Sequence, residues 1–106
     1  MKKIVVALFL LLVISSCSSR REITPESAFN VNIENFAFSP GVIKIKTGEA
    51  VIWVNNEDTP HTVTGDELDS GTLNKNQQYQ HAFSEPGTYE YICSFHTSMK
   101  GTVIIE

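Results

Sequence analysis

The sequence contains only two cysteines, Cys17 and Cys93, too few for the disulfide framework that staples many small exported domains. It has no run of about 20 apolar residues, so no stretch reads as a membrane-spanning helix. Basic residues are scarce as well: eight Lys and Arg stand against twelve Asp and Glu, a net charge of −4. That balance argues against a nucleic-acid surface and against electrostatic attachment to anionic lipid. Past the N-terminus there is no sustained apolar period of 3.6 residues, so no helix of useful length is expected. With 106 residues the chain has room for one compact domain and a short tail, which excludes a large multi-site enzyme.

What is present begins with Lys2 and Lys3 ahead of the unbroken apolar segment Ile4 to Ile14, a positive region and a core of signal-peptide length. Residues 1–16 are read as a cleaved signal peptide. The following Ile14-Ser15-Ser16-Cys17 resembles a bacterial lipobox. The resemblance implies cleavage before Cys17 and lipidation of its thiol. The protein would then be anchored by lipid to a bacterial membrane in the cell envelope, facing the periplasm or the exterior. An ordinary cleaved signal or an uncleaved anchor, with Cys17 incidental, is the alternative. Loss of Lys2 and Lys3 leaves six basic against twelve acidic residues, a charge of about −6. Residues 17–28 are rich in Ser, Arg, Glu, Thr and Pro and read as a lipidated cysteine and flexible tether. Such a coil spans about 18 Å root-mean-square. Cys93 is then the one thiol left in the chain, and in an oxidising compartment a bound metal would occupy it.

From residue 29 to 106 the pattern changes to short segments rich in β-branched and aromatic residues, separated by turn chemistry. Val31 to Glu34 alternates, and Val42 to Lys46 sets Ile43 and Ile45 against Lys44 and Lys46. Thr47-Gly48 marks a hairpin into Ala50 to Asn55. Ser39-Pro40-Gly41-Val42 and Glu85-Pro86-Gly87-Thr88 carry the Pro-Gly signature of type II turns. Tyr79, His81 and Phe83 alternate along a further strand, Thr88 to Cys93 forms another, and Gly101 to Ile105 closes the chain. About seven strands without helical crossovers predict an all-β, antiparallel β-sandwich. Phe36, Phe38, Trp53, Phe83, Tyr89, Tyr91, Val103, Ile104 and Ile105 are its expected core. A core this small is usually helped by a staple such as a metal.

The chemistry is concentrated near the C-terminus, where Cys93, His96 and Met99 recur every third residue as C-x2-H-x2-M. A tight loop between two strands can fold donors at that spacing around one ion. Upstream, Asp58-Thr59-Pro60-His61 offers a second imidazole just after a turn. One thiolate, two imidazoles and a weak thioether form the ligand set of a blue-copper site, because sulfur donors favour Cu(I) and imidazole suits Cu(II). Structural zinc sites favour paired cysteines and rarely recruit methionine. Taken singly, His61 is an ordinary surface histidine, Cys93 a small buried hydrophobe and Met99 packing; it is their joint occurrence that points to metal. His81 lies far from the loop motif and reads as structural or as an edge residue. Glu57, Asp58, Asp66, Glu67 and Asp69 read as a solvated acidic face able to steer a basic partner.

These residues, with Trp53-Val54-Asn55 and Phe83-Ser84-Glu85-Pro86-Gly87-Thr88-Tyr89-Glu90-Tyr91-Ile92-Cys93, resemble the cupredoxins over nearly the whole domain. The short ligand loop is similar to that of the amicyanins, since plastocyanin-like members place more residues between the second His and the Met. The resemblance implies a Greek-key sandwich with one type 1 copper ion, His61, Cys93 and His96 as strong ligands and Met99 as the weak axial one. It implies a monomeric one-electron carrier rather than an enzyme. Its transient partners would be redox proteins, such as a basic cytochrome or an oxidoreductase, docking near His96. The alternative is extracytoplasmic copper delivery or buffering by the same ligands. Two departures stand out. Phe95 replaces the proline that often precedes the second His, which restores a backbone N–H near the Cys93 sulfur. Thr62 replaces a frequent Asn after the first ligand, which leaves support of the loop open.

Overall fold

The computed structural model describes residues 28–106, and there is no helix among them. The expected signal peptide, the expected lipidation of Cys17 and the expected tether up to residue 27 lie outside the described residues. Nine strands follow in order: β1 Ala28–Glu34, β2 Ala37–Ser39, β3 Val42–Ile45, β4 Ala50–Asn55, β5 Thr64–Gly65, β6 Leu68–Asp69, β7 Gln78–Ala82, β8 Gly87–Cys93 and β9 His96–Ile105. They form a four-stranded sheet, β2-β1-β4-β7, and a five-stranded sheet, β3-β9-β8-β5-β6.

The expected β-sandwich is present, and period-2 patterning explains how its faces are assigned. In β3, Ile43 and Ile45 are buried while Val42 and Lys44 are exposed. In β9, Val103 and Ile105 point inward, so Ile104 falls on the outer face and is only partly buried. The interior is centred on Trp53, fully buried, whose ring meets Tyr91 edge-on at 5.4 Å. Phe38 also packs edge-on to Tyr91, with centroids 4.7 Å apart. Each large apolar side chain buried in this way contributes about 1.5–3 kcal/mol. Tyr91 lies opposite Gly101 in the β8–β9 ladder, and a Cβ at Gly101 would run into the phenol ring. Burial pushes the Tyr91 phenol up to about 12, and the neighbouring Trp53 N–H offsets a little of this. The two polar atoms nonetheless lie outside hydrogen-bond geometry.

Strand pairing differs from the all-antiparallel expectation in two places. β1 runs parallel to β4, and β3 runs parallel to β9. Parallel neighbours need a crossover, and helices are the usual device. Here the crossover is a strand of the opposite sheet: the chain leaves β1 and β2, crosses to lay down β3, and returns to place β4 beside β1. For the same reason Thr47-Gly48 does not make a hairpin. Gly48 takes a φ of 90° and its N–H donates to the Phe83 carbonyl at 2.8 Å, turning the chain from one sheet to the other. The Ser39-Pro40-Gly41 corner is not a type II turn, because Gly41 lacks the positive φ that turn requires and the Ser39–Pro40 peptide is cis. Phe36 is not in the core: it is 49% exposed at the turn between β1 and β2.

Candidate metal centre

The sandwich gathers its metal-capable side chains at one end. Cys93 ends β8 and His96 begins β9, so the C-x2-H spacing is a two-residue turn, Ser94-Phe95, closing a hairpin. The ladder pairs Cys93 with His96 but Ile92 with Lys100, so Thr97, Ser98 and Met99 bulge out of register. That bulge lets Met99 turn inward, where it is buried among the core residues with Cys93. His61 comes from the loop between β4 and β5 and is pinned by paired backbone bonds with Leu73, His61 N–H to the Leu73 carbonyl at 3.1 Å and the reverse at 2.8 Å.

That loop is organised by one buried amide. Asn55 is fully buried at the end of β4; its Nδ2 donates to the Thr59 and Leu73 carbonyls, both at 2.9 Å. Its Oδ1 accepts the Glu57 N–H at 2.9 Å. One side chain thereby fixes the entry to the loop, its middle and the Leu73 backbone that clamps His61.

The donor atoms of His61, Cys93 and His96 all lie within 4.8 Å of one another. Cys93 Sγ is 3.7 Å from His61 Nδ1 and 3.8 Å from His96 Nδ1. An ion bonded at about 2.3 Å to sulfur and about 2.0 Å to nitrogen, with about 120° between the bonds, keeps sulfur and nitrogen about 3.7 Å apart. The two sulfur–nitrogen separations therefore match those around a single first-row ion, and the mixed S and N set would suit copper.

The structure also supplies what the sequence left open. Glu57 is not part of a solvated face: its Oε1 lies 2.7 Å from His61 Nε2. With His61 Nδ1 turned toward the sulfur, Nε2 carries the hydrogen and donates it to Glu57, which fixes the tautomer and the ring orientation. Its four-residue separation from His61 was the signal available in the sequence. Thr62 takes over the support of the loop. Its N–H donates to Cys93 Sγ at 3.4 Å, and its Oγ1 accepts the Ser94 N–H at 2.9 Å and lies 2.8 Å from Thr64 Oγ1. The sulfur thus receives its backbone hydrogen bond from Thr62 and not from Phe95. His81 stands apart on edge strand β7, stacked near Tyr79 and edge-on to Phe83, with Nε2 3.0 Å from Glu67 Oε1. Asp58 pairs with Lys75 at 3.1 Å on the surface, a contact worth little on its own.

A β-sandwich that holds a buried thiol, two convergent imidazoles and an inward thioether at one end defines a mononuclear copper protein. A cupredoxin-like domain model matches residues 4–105. Amicyanin-alpha of Methylorubrum extorquens is 37% identical over 89 residues, covering 77% of this chain and 75% of that protein. Plastocyanin of Scenedesmus fuscus is 37% identical over 84 residues, covering 65% of this chain and 86% of that protein. The crystal structure of amicyanin from Paracoccus versutus superposes with a TM-score of 0.70 at 35% identity, covering 78% of this chain and 85% of the other. The chain belongs to the cupredoxin-like family.

Proposed function

We propose that this protein is a type 1 copper electron carrier of the cell envelope, with His61, Cys93 and His96 as strong ligands and Met99 as the weak one. The observation that carries the reading is the 3.7 and 3.8 Å triangle of thiol and imidazole nitrogens, held by hydrogen bonds from outside it. Copper bound there supplies a Cu(I)/Cu(II) couple. The residues keep its surroundings still. Glu57 holds His61, the Thr62 N–H holds Cys93, and Asn55 holds the loop that carries His61, so little side-chain movement accompanies electron exchange. Cys93 offers the covalent path out of the interior, and partly buried His96 offers the exit to the surface. Exposed Phe95 and Pro60 flank the ligands in sequence and supply apolar surface for a brief encounter with a redox partner, a contact for which a small interface suffices.

This rigid, buried thiol favours electron transfer over copper delivery, which needs ligands that let go. Copper-loaded protein is expected to show an intense visible thiolate-to-copper band and a reversible one-electron wave in cyclic voltammetry. Tight Cu(I) binding without a reversible wave would instead establish the delivery role. The envelope location rests on the segment Ile4 to Ile14 and the lipobox-like Ile14-Ser15-Ser16-Cys17. Mass spectrometry of membrane-extracted protein is expected to show diacylglycerol on Cys17 as the first residue, and an unmodified Cys17 thiol would refute the anchor.

A further inference from the structure

The turn between β1 and β2 is two residues long, and both Asn35 and Phe36 have a φ of 54°. Hairpins of this length favour Asn-Gly, because positive φ at both positions suits those residues. Asn35 obeys the rule. Phe36 breaks it, since a bulky side chain in the left-handed region is an outlier that its surroundings must hold in place.

Phe36 is half-exposed, so core packing is not what holds it. Its contacts point to the metal centre. The ring lies edge-on to His96, with centroids 5.0 Å apart and planes at 83°, and edge-on to His61 at 5.3 Å and 86°. Its backbone N–H lies 3.3 Å from both oxygens of the Glu57 carboxylate, the same carboxylate that accepts from His61 Nε2. Glu57 therefore ties the strained turn to the first imidazole, and the aromatic ring it carries spans both.

The two imidazoles differ in how they are otherwise held. His61 is fully buried and has Glu57 on its outer nitrogen. His96 is only partly buried, and its Nδ1 faces Cys93 Sγ. Among the described residues no group hydrogen-bonds its other nitrogen. Ring contacts with Phe36 and His61 are what set its orientation.

We propose that Phe36 is a positioning residue: its ring, presented on a strained turn fastened to Glu57, holds the His96 imidazole in the orientation that binds the metal. The inference rests on the copper reading of the site. Two edge-to-face contacts offset the cost of the left-handed backbone, which is why a phenylalanine persists where glycine fits better.

The test compares Phe36→Gly and Phe36→Tyr with the unchanged protein, each loaded with Cu(I). Glycine suits the backbone, so the Phe36→Gly melting temperature without metal should hold or rise. Its Cu(I) should pass to a competing chelator about tenfold faster, the order of effect that outer supports of a ligand have. The His96 ring resonances should broaden while those of His61 stay sharp, and Phe36→Tyr should restore both properties. Unchanged release and an unchanged His96 spectrum in Phe36→Gly overturn the proposal. A drop in melting temperature with no change at His96 also overturns it, because the residue would then be merely structural. Failure of the unchanged protein to take up Cu(I) overturns the copper reading itself, a result distinct from both.

Discussion

Cys93→Ser is expected to abolish the intense visible band of the copper-loaded protein. It should also lower copper affinity by more than about 100-fold, beyond the 10–100-fold typical of losing an outer partner. The reason is chemical more than steric. A hydroxyl in place of the thiol retains a small side chain at a fully buried position, and the Thr62 N–H, 3.4 Å from Sγ, can still donate to it. The fold should therefore survive with a cost of about 1 kcal/mol, within the range for a buried hydroxyl that keeps a hydrogen-bond partner. What is lost is the soft, polarisable donor that stabilises Cu(I) and gives strong charge-transfer absorption. Copper titration with a competing chelator, read by visible absorption, checks both effects. A variant that kept the band would remove Cys93 from the ligand set.

The second large effect is expected at Asn55, which touches no metal donor directly. Asn55→Ala removes the side-chain donor to the Thr59 and Leu73 carbonyls and the acceptor of the Glu57 N–H; the Leu73 carbonyl keeps the His61 N–H, and the Thr59 and Glu57 bonds are part-buried. Three lost hydrogen bonds at about 1 kcal/mol each give a total of about 3 kcal/mol. For a domain of this size that is a fall of about 15 °C in melting temperature. Copper affinity should drop as well, because the same amide positions the Leu73 backbone that clamps His61 and the Glu57 backbone whose side chain orients it. Asn55→Asp retains the acceptor but loses the donors and adds a buried charge, so it should not rescue the fold. Thermal unfolding of the metal-free variants, followed by chelator competition, separates the two consequences. An unchanged melting temperature would show that the loop is held by something other than this side chain.

Much of the architecture was legible because strands advertise themselves by alternation. Val42 to Lys46 could be assigned faces from its side chains alone, and the structure buries Ile43 and Ile45 as that pattern requires. The ligand spacing was equally legible, since donors that must surround one ion from a single hairpin have few separations open to them. Pairing was not. Whether β3 joins β4 or β9 depends on which apolar faces meet across the interior, and Thr47-Gly48 encodes only a change of direction. Phe36 illustrates the same limit: its composition suggests core, while its place on a two-residue turn puts it half in water and against the imidazoles.

The amino-acid sequence by itself determined most of the longer strand segments, though not the short β2, β5 and β6 or the start of β9 at His96, together with the class of fold and the identities of the four metal-capable residues, because each depends on local periodicity or on donor chemistry. Tertiary structure alone decided that the sheets are mixed, that Glu57 serves His61 and not the solvent, and that Thr62, not Phe95, supplies the hydrogen bond to the Cys93 sulfur. It also decided that Asn55 and Phe36 stand behind the ligands. These relations join residues from separate strands and loops, and they follow from distances and hydrogen-bond directions that exist only once the two sheets have closed on each other.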